Sequence, residues 1–143
     1  FEKRGKSISA ENVEWVYKRF KGHTYYIQRT FNESFADTDK GEECTWEIIK
    51  SAIDDMVVSN DTIFREILSN IPEKQKALLY AIAKDGEATQ ITSAQFIKRH
   101  SLQSASSVQA AAKKLLEKDI ITQINKVYSV TDKLFAMWMM QTI

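Results

Sequence analysis

The chain has 143 residues and a mass of 16.5 kDa, near the commonest size of one domain with room for two small ones. Hydrophobic residues at 43% and charged residues at 27% exclude a disordered or fibrous chain, and four glycines with one proline are too few for a loop-rich all-β fold, which leaves a mainly helical one. The net charge of +1 hides an asymmetry: residues 1–72 carry 10 Lys+Arg against 13 Asp+Glu, a net −3, whereas residues 73–143 carry 10 against 6, a net +4, so the second half is the one expected to meet an anionic partner.

Ser9 can cap a first helix in which Val13, Val16, Tyr17 and Phe20 recur at the spacing of one buried face, with Gly22 as its stop. Ile27, Phe31 and Phe35 repeat every four residues and predict a second helix from His23, followed by a polar loop over residues 37–43. Thr45 caps a third helix built on Trp46, Ile49, Ile53, Met56 and Val57, and Asn60 or Asp61 caps a fourth built on Phe64, Ile67, Leu68 and Ile71. These four predict a small bundle over residues 1–71.

From Pro72 the pattern changes. Pro72 suits the first turn of a helix whose buried face is Leu78, Leu79 and Ile82 and which ends at Asp85-Gly86. Thr92 or Ser93 caps a short helix with Phe96 and Ile97, and residues 100–103 form a turn. Ser104 then starts a helix with Ala105, Val108, Ala112 and Leu115 on one face and Ser106, Gln109, Lys113 and Glu117 on another. Two β-rich runs, residues 120–124 and 127–130, flank the two-residue turn Asn125-Lys126, and Asp132 caps a last helix carrying Leu134, Phe135 and Trp138. Helix, helix-turn-helix, two-stranded wing and closing helix together predict a winged-helix domain over residues 72–143. The fold class expected is therefore mainly α, a small helical bundle followed by a winged-helix domain with a two-stranded β-hairpin wing.

Several chemical signals dissolve on inspection. Gly5-Lys6-Ser7 has the form of the end of a phosphate-binding P-loop, but the motif's first glycine would lie off the chain, and a solvated approach to the first helix is expected instead. Asp37-x-Asp39-x-Gly41 lacks the glycine and glutamate positions of a calcium loop. Asp54 and Asp55 point about 100° apart on a helix and cannot act as an acid and base pair. The two histidines, His23 and His100, lack metal-ligand spacing and a nucleophile elbow, so no catalytic residue and no metal site is expected. The single cysteine, Cys44, excludes an internal disulfide and suits a cytoplasmic protein. No apolar run exceeds seven residues, so no membrane span is expected, and a start at Phe1 without methionine suggests a piece of a longer protein.

The order of these segments resembles the C-terminal part of the AAA+/STAND-like prokaryotic (archaeal-type) ATPases. The residues that carry it are 1–8 (FEKRGKSI) and 20–28 (FKGHTYYIQ) in the lid, then 78–83 (LLYAIA), Ser106-Ser107-Val108, 114–121 (KLLEKDII) and 132–138 (DKLFAMW). Where that family has Gly-x-Pro, this chain has Gly22-His23-Thr24. The resemblance implies a helical lid that closes over nucleotide through Gly22, His23 and Thr24 only when an upstream P-loop core is present. It implies no cofactor for these residues alone, ATP and Mg in the longer protein, and a winged helix that passes the nucleotide state to a protein partner or to DNA. The competing reading is an autonomous winged-helix transcriptional regulator with an N-terminal effector or dimerisation bundle.

If DNA is met, the second helix of the helix-turn-helix presents Ser104, Ser106, Ser107, Gln109 and Lys113, with Lys98, Arg99 and Lys126 as further phosphate contacts. No arginine on that helix supplies a guanine contact, so binding is expected to be weak, salt-sensitive and indifferent to sequence.

Overall fold

A computed structural model describes residues 4–21 and 23–142, and among these the elements run β1 (Ser7–Ile8), α1 (Ala10–Arg19), α2 (Thr24–Asp37), β2 (Glu43–Cys44), α3 (Trp46–Ser59), α4 (Asp61–Ser69), α5 (Glu73–Asp85), α6 (Ala94–Arg99), α7 (Ala105–Glu117), β3 (Ile121–Ile124), β4 (Val127–Val130) and α8 (Lys133–Thr142). Helices dominate, as composition implies. Among the described residues no helix is long and apolar enough to cross a membrane. The contacts divide the chain into two compact units between Asn60 and Asp61.

In the N-terminal unit Ser9 caps α1 by accepting from the Asn12 N–H at 3.1 Å, and Thr45 caps α3 by accepting from Ile48. Val16, Phe20, Ile49, Ala52, Ile53, Met56 and Val57 form the core. α2 enters it differently from its expected face. Ile27, Phe31 and Phe35 are only half-buried, and the fully buried side chains are Thr30 and Ser34. The Thr30 hydroxyl donates to Tyr26 O at 2.7 Å, so one turn of the helix satisfies the threonine and a small polar residue can face the core. Hydrophobic period alone selects the large residues of α2 and misses this.

Two further features depart from expectation. Ser7–Ile8 and Glu43–Cys44 pair as parallel strands, with Ser7↔Glu43 and Ile8↔Cys44 in register, and Gly41 N–H donates to Gly5 O at 2.7 Å. Gly5 and Gly41 hold φ of 73° and 87°, a left-handed conformation that glycine adopts without steric penalty. The 37–43 loop is thus tethered to the approach to α1. Lys6, expected to be solvated, donates from Nζ to Phe35 O at 2.7 Å and lies 4.1 Å from the centre of the Phe35 ring.

In the C-terminal unit α5 is the central helix, buried through Leu78, Leu79, Ala81, Ile82 and Ala83 and packed against α7, α8 and β4. Pro72 stands one position before it as the N-cap, and Gly86 closes it with a φ of 75°. Ser93 and Ser104 cap α6 and α7, accepting from Phe96 and Ser107. β3 and β4 pair antiparallel with Ile124↔Val127 closing the hairpin, and both turn residues are left-handed, Asn125 at φ 52° and Lys126 at φ 66°. That pair of positive φ angles gives the twist a two-residue hairpin needs. Ala88 adds a third, single-residue strand: its N–H and carbonyl exchange bonds with Tyr128, both at 2.8 Å. This is a winged helix.

α4 belongs to this unit. Phe64 packs its ring against Phe135 at 5.1 Å and Trp138 at 5.8 Å, and Trp138 bonds to Asp61. The expected junction at Ile71/Pro72 marks a helix boundary, whereas the observed division lies ahead of α4.

Candidate nucleic-acid and partner interface

α7 buries Val108, Ala111, Ala112 and Leu115 against α5 and β3, which turns Ser106, Gln109, Lys113 and Glu117 outward. On the hairpin, Gln123 and Tyr128 are a cross-strand pair and therefore project from one face of the sheet. The result is an open groove of about 950 Å³ between α7 and the wing, with Ser106, Gln109 and Lys113 on one wall and Gln123, Lys126 and Tyr128 on the other. Gln90, Ile91 and Thr92, which follow the Ala88 strand, complete it, and Leu116 contributes apolar surface.

Of the residues expected from sequence, the groove gathers Ser106, Gln109, Lys113 and Lys126. Ser104 holds a structural role, its Oγ accepting from Ser107 N–H at 3.1 Å. Ser107 faces α5 instead, lining a smaller groove with Lys74 and Leu102. Lys98 and Arg99 do not line the groove. The Arg99 guanidinium is paired with Asp85 and lies 5.6 Å from the centre of the Phe96 ring, and Asp85 also meets His100 Nε2 at 3.2 Å. Arg99 thus fastens α6 to the end of α5.

In the N-terminal unit, His23 and Thr24 sit at the start of α2, with the His23 ring 5.5 Å from that of Tyr26. Gly22 lies outside the described residues.

Sequence reasoning missed Gln90, Gln123 and Tyr128. Alternation along a recognised hairpin puts residues 123 and 128 on one face, so that signal was present; the placement of Gln90 depends on a one-residue bridge and left-handed backbone at φ 49°, which no pattern carries.

A protein-family model described as "probable winged helix domain" matches residues 62–141, more than half of the chain. The chain belongs to this winged-helix family. The match begins within α4, in keeping with that helix packing on α8 rather than closing a separate bundle. No curated protein and no solved structure gives a match. A winged helix is compatible with DNA contact and with coupling to a protein, and the residues facing the groove must decide between them.

Proposed function

We propose that this winged helix is the output module of a P-loop ATPase of AAA+/STAND type, and that it contacts duplex DNA weakly and without sequence preference through the α7–wing groove. The observation that supports the DNA contact most is the placement of Lys113 and Lys126 on opposite walls of one groove, next to the polar residues Ser106 and Gln109. Two ammonium groups across a groove can each neutralise a phosphate, and serine and glutamine add neutral hydrogen bonds to the same backbone. Glu117 on the same surface opposes them and keeps affinity low.

The ATPase context rests on the sequence resemblance. In this reading the upstream core binds ATP and Mg, His23 and Thr24 approach the nucleotide with Gly22, and these 143 residues do not hydrolyse it themselves. Calorimetric titration of the chain with Mg-ATP tests this: no binding is expected, because the phosphate-cradling amides and metal ligands belong to the core. Micromolar affinity would overturn the lid assignment.

A second reading, docking of a protein partner on the winged helix, is favoured by Ile124, which is 69% exposed at the wing tip outside the groove, and by the apolar surface of Leu116 within it. Mobility shift of a mixed-sequence duplex separates the two. Retardation at low salt that is lost as salt rises supports the DNA reading, and no retardation supports the docking reading.

A further inference from the structure

A second concavity, sharing no residue with the α7–wing groove, lies between α4, α5 and α8 and encloses about 450 Å³. Its character is a cationic rim beside an apolar wall. Lys76 comes from α5, one turn before Tyr80, and Arg65 comes from α4, beside Trp138 of α8. Lys76 is the unusual residue: its side chain is only 21% exposed, yet its ion pair with Glu73 is long, 3.4 Å, and the Glu73 side chain is 90% exposed. A contact of that length to a solvated carboxylate is worth little, so the ammonium is held at the pocket with protons to donate. Arg65 uses Nε for Asp61, at 2.9 Å, and that bond leaves the Nη pair of the guanidinium for another acceptor. Leu68 and Tyr80 supply the apolar wall, and Trp138, buried with the Arg65 guanidinium 5.6 Å from its ring centre, forms the floor.

We propose that this pocket binds a small flat-ringed oxyanion, an aryl phosphate or aryl carboxylate, with Lys76 and Arg65 on the anionic head and Leu68 and Tyr80 beside the ring, over a floor formed by the buried Trp138. The volume is within the range of small-molecule sites and exceeds what an inorganic ion fills, and a few placed polar groups on a largely apolar lining is the composition such sites have. The inference is independent of the DNA contact, since none of these residues lines the α7–wing groove.

The test is titration of the isotopically labelled chain with phenyl phosphate, with benzoate and with inorganic phosphate, following the Trp138 indole N–H resonance, which Trp138→Phe assigns. At least one aryl oxyanion is expected to give a saturable shift with a dissociation constant of about 0.1–1 mM, and which of the two binds more tightly names the head group. Inorganic phosphate is expected to bind at least about tenfold more weakly, and Lys76→Met, which keeps the buried stem, to weaken the aryl ligand about tenfold. Tyr80→Phe, which preserves the wall, should weaken it less. No saturable shift with either aryl ligand up to about 10 mM would overturn the proposal. Equal binding of inorganic phosphate would overturn it as well, as would binding unchanged in both Lys76→Met and Tyr80→Phe.

Discussion

Trp138 donates its indole N–H to Oδ1 of Asp61 at 2.8 Å, and this one bond joins α8 to the first residue of α4. Around it the Trp138 ring lies 5.9 Å from Phe135 and 5.8 Å from Phe64, so the hydrogen bond sits at the edge of an aromatic cluster. Truncating the ring removes both. Trp138→Ala is expected to destabilise the C-terminal unit by about 3–5 kcal/mol in urea unfolding, whereas an effect under about 1 kcal/mol would mean that α4 and α8 are held together by something else.

The same pair makes a pH prediction. The Trp138 hydrogen bond first, and Arg65 second, hold the Asp61 carboxyl below its usual value of 3.8. A carboxyl depressed in the folded state binds its proton more readily when unfolded, so its stabilising contribution is fully present above 3.8 and is lost as pH falls through the lower folded value. Asp61→Asn removes the titration. Its stability deficit relative to the parent is therefore expected to shrink as thermal melts are taken below pH 3.8 and to stay constant above about pH 5.

Ser34 is fully buried in the N-terminal unit, and its hydroxyl has no hydrogen-bond partner. A buried hydroxyl that has given up water without a replacement destabilises the fold, so Ser34→Ala is expected to raise stability by about 1 kcal/mol. A destabilised variant would show that the hydroxyl is in fact satisfied.

Lys6 stands where a P-loop would have its catalytic lysine but bonds Phe35 O and packs on the Phe35 ring. Lys6→Ala should cost about 1 kcal/mol of stability and make no difference in a Mg-ATP titration, in which neither chain is expected to bind.

Most of the C-terminal unit was legible because its signals are local. Ser93, Ser104 and Asp132 announce helix starts through side chains that accept backbone N–H groups two or three residues on, and Asn125-Lys126 between β-rich runs announces the hairpin. What stayed hidden depends on distance along the chain. The β1–β2 pair and the Ala88–Tyr128 bridge are one or two residues long, too short for any period to register. The placement of α4 is decided by Phe64 meeting Phe135, and nothing near residue 64 carries that information. The pairing of Arg99 with Asp85 is likewise set by a residue remote in sequence, which no local pattern around Arg99 announces.

Lys126 separates stability from binding. Its φ of 66° is a conformation that suits glycine better, so Lys126→Gly is expected to stabilise the hairpin by about 0.5–1 kcal/mol while weakening any contact with DNA. A variant that is more stable and binds duplex unchanged would remove the wing from the interface.

The most direct test of the groove as the working face is the salt dependence of duplex binding, measured on the parent chain and on Lys113→Ala, Lys126→Ala and Arg99→Ala. With two lysines available and Arg99 paired, log K against log salt should have a slope of about −2, at an affinity of roughly 10⁻⁴ to 10⁻⁶ M. Each lysine variant should lower the slope by about 1 for every duplex alike, and Arg99→Ala should leave it unchanged. A slope insensitive to both lysine variants, or one that falls with Arg99→Ala, would contradict the assignment of the α7–wing groove.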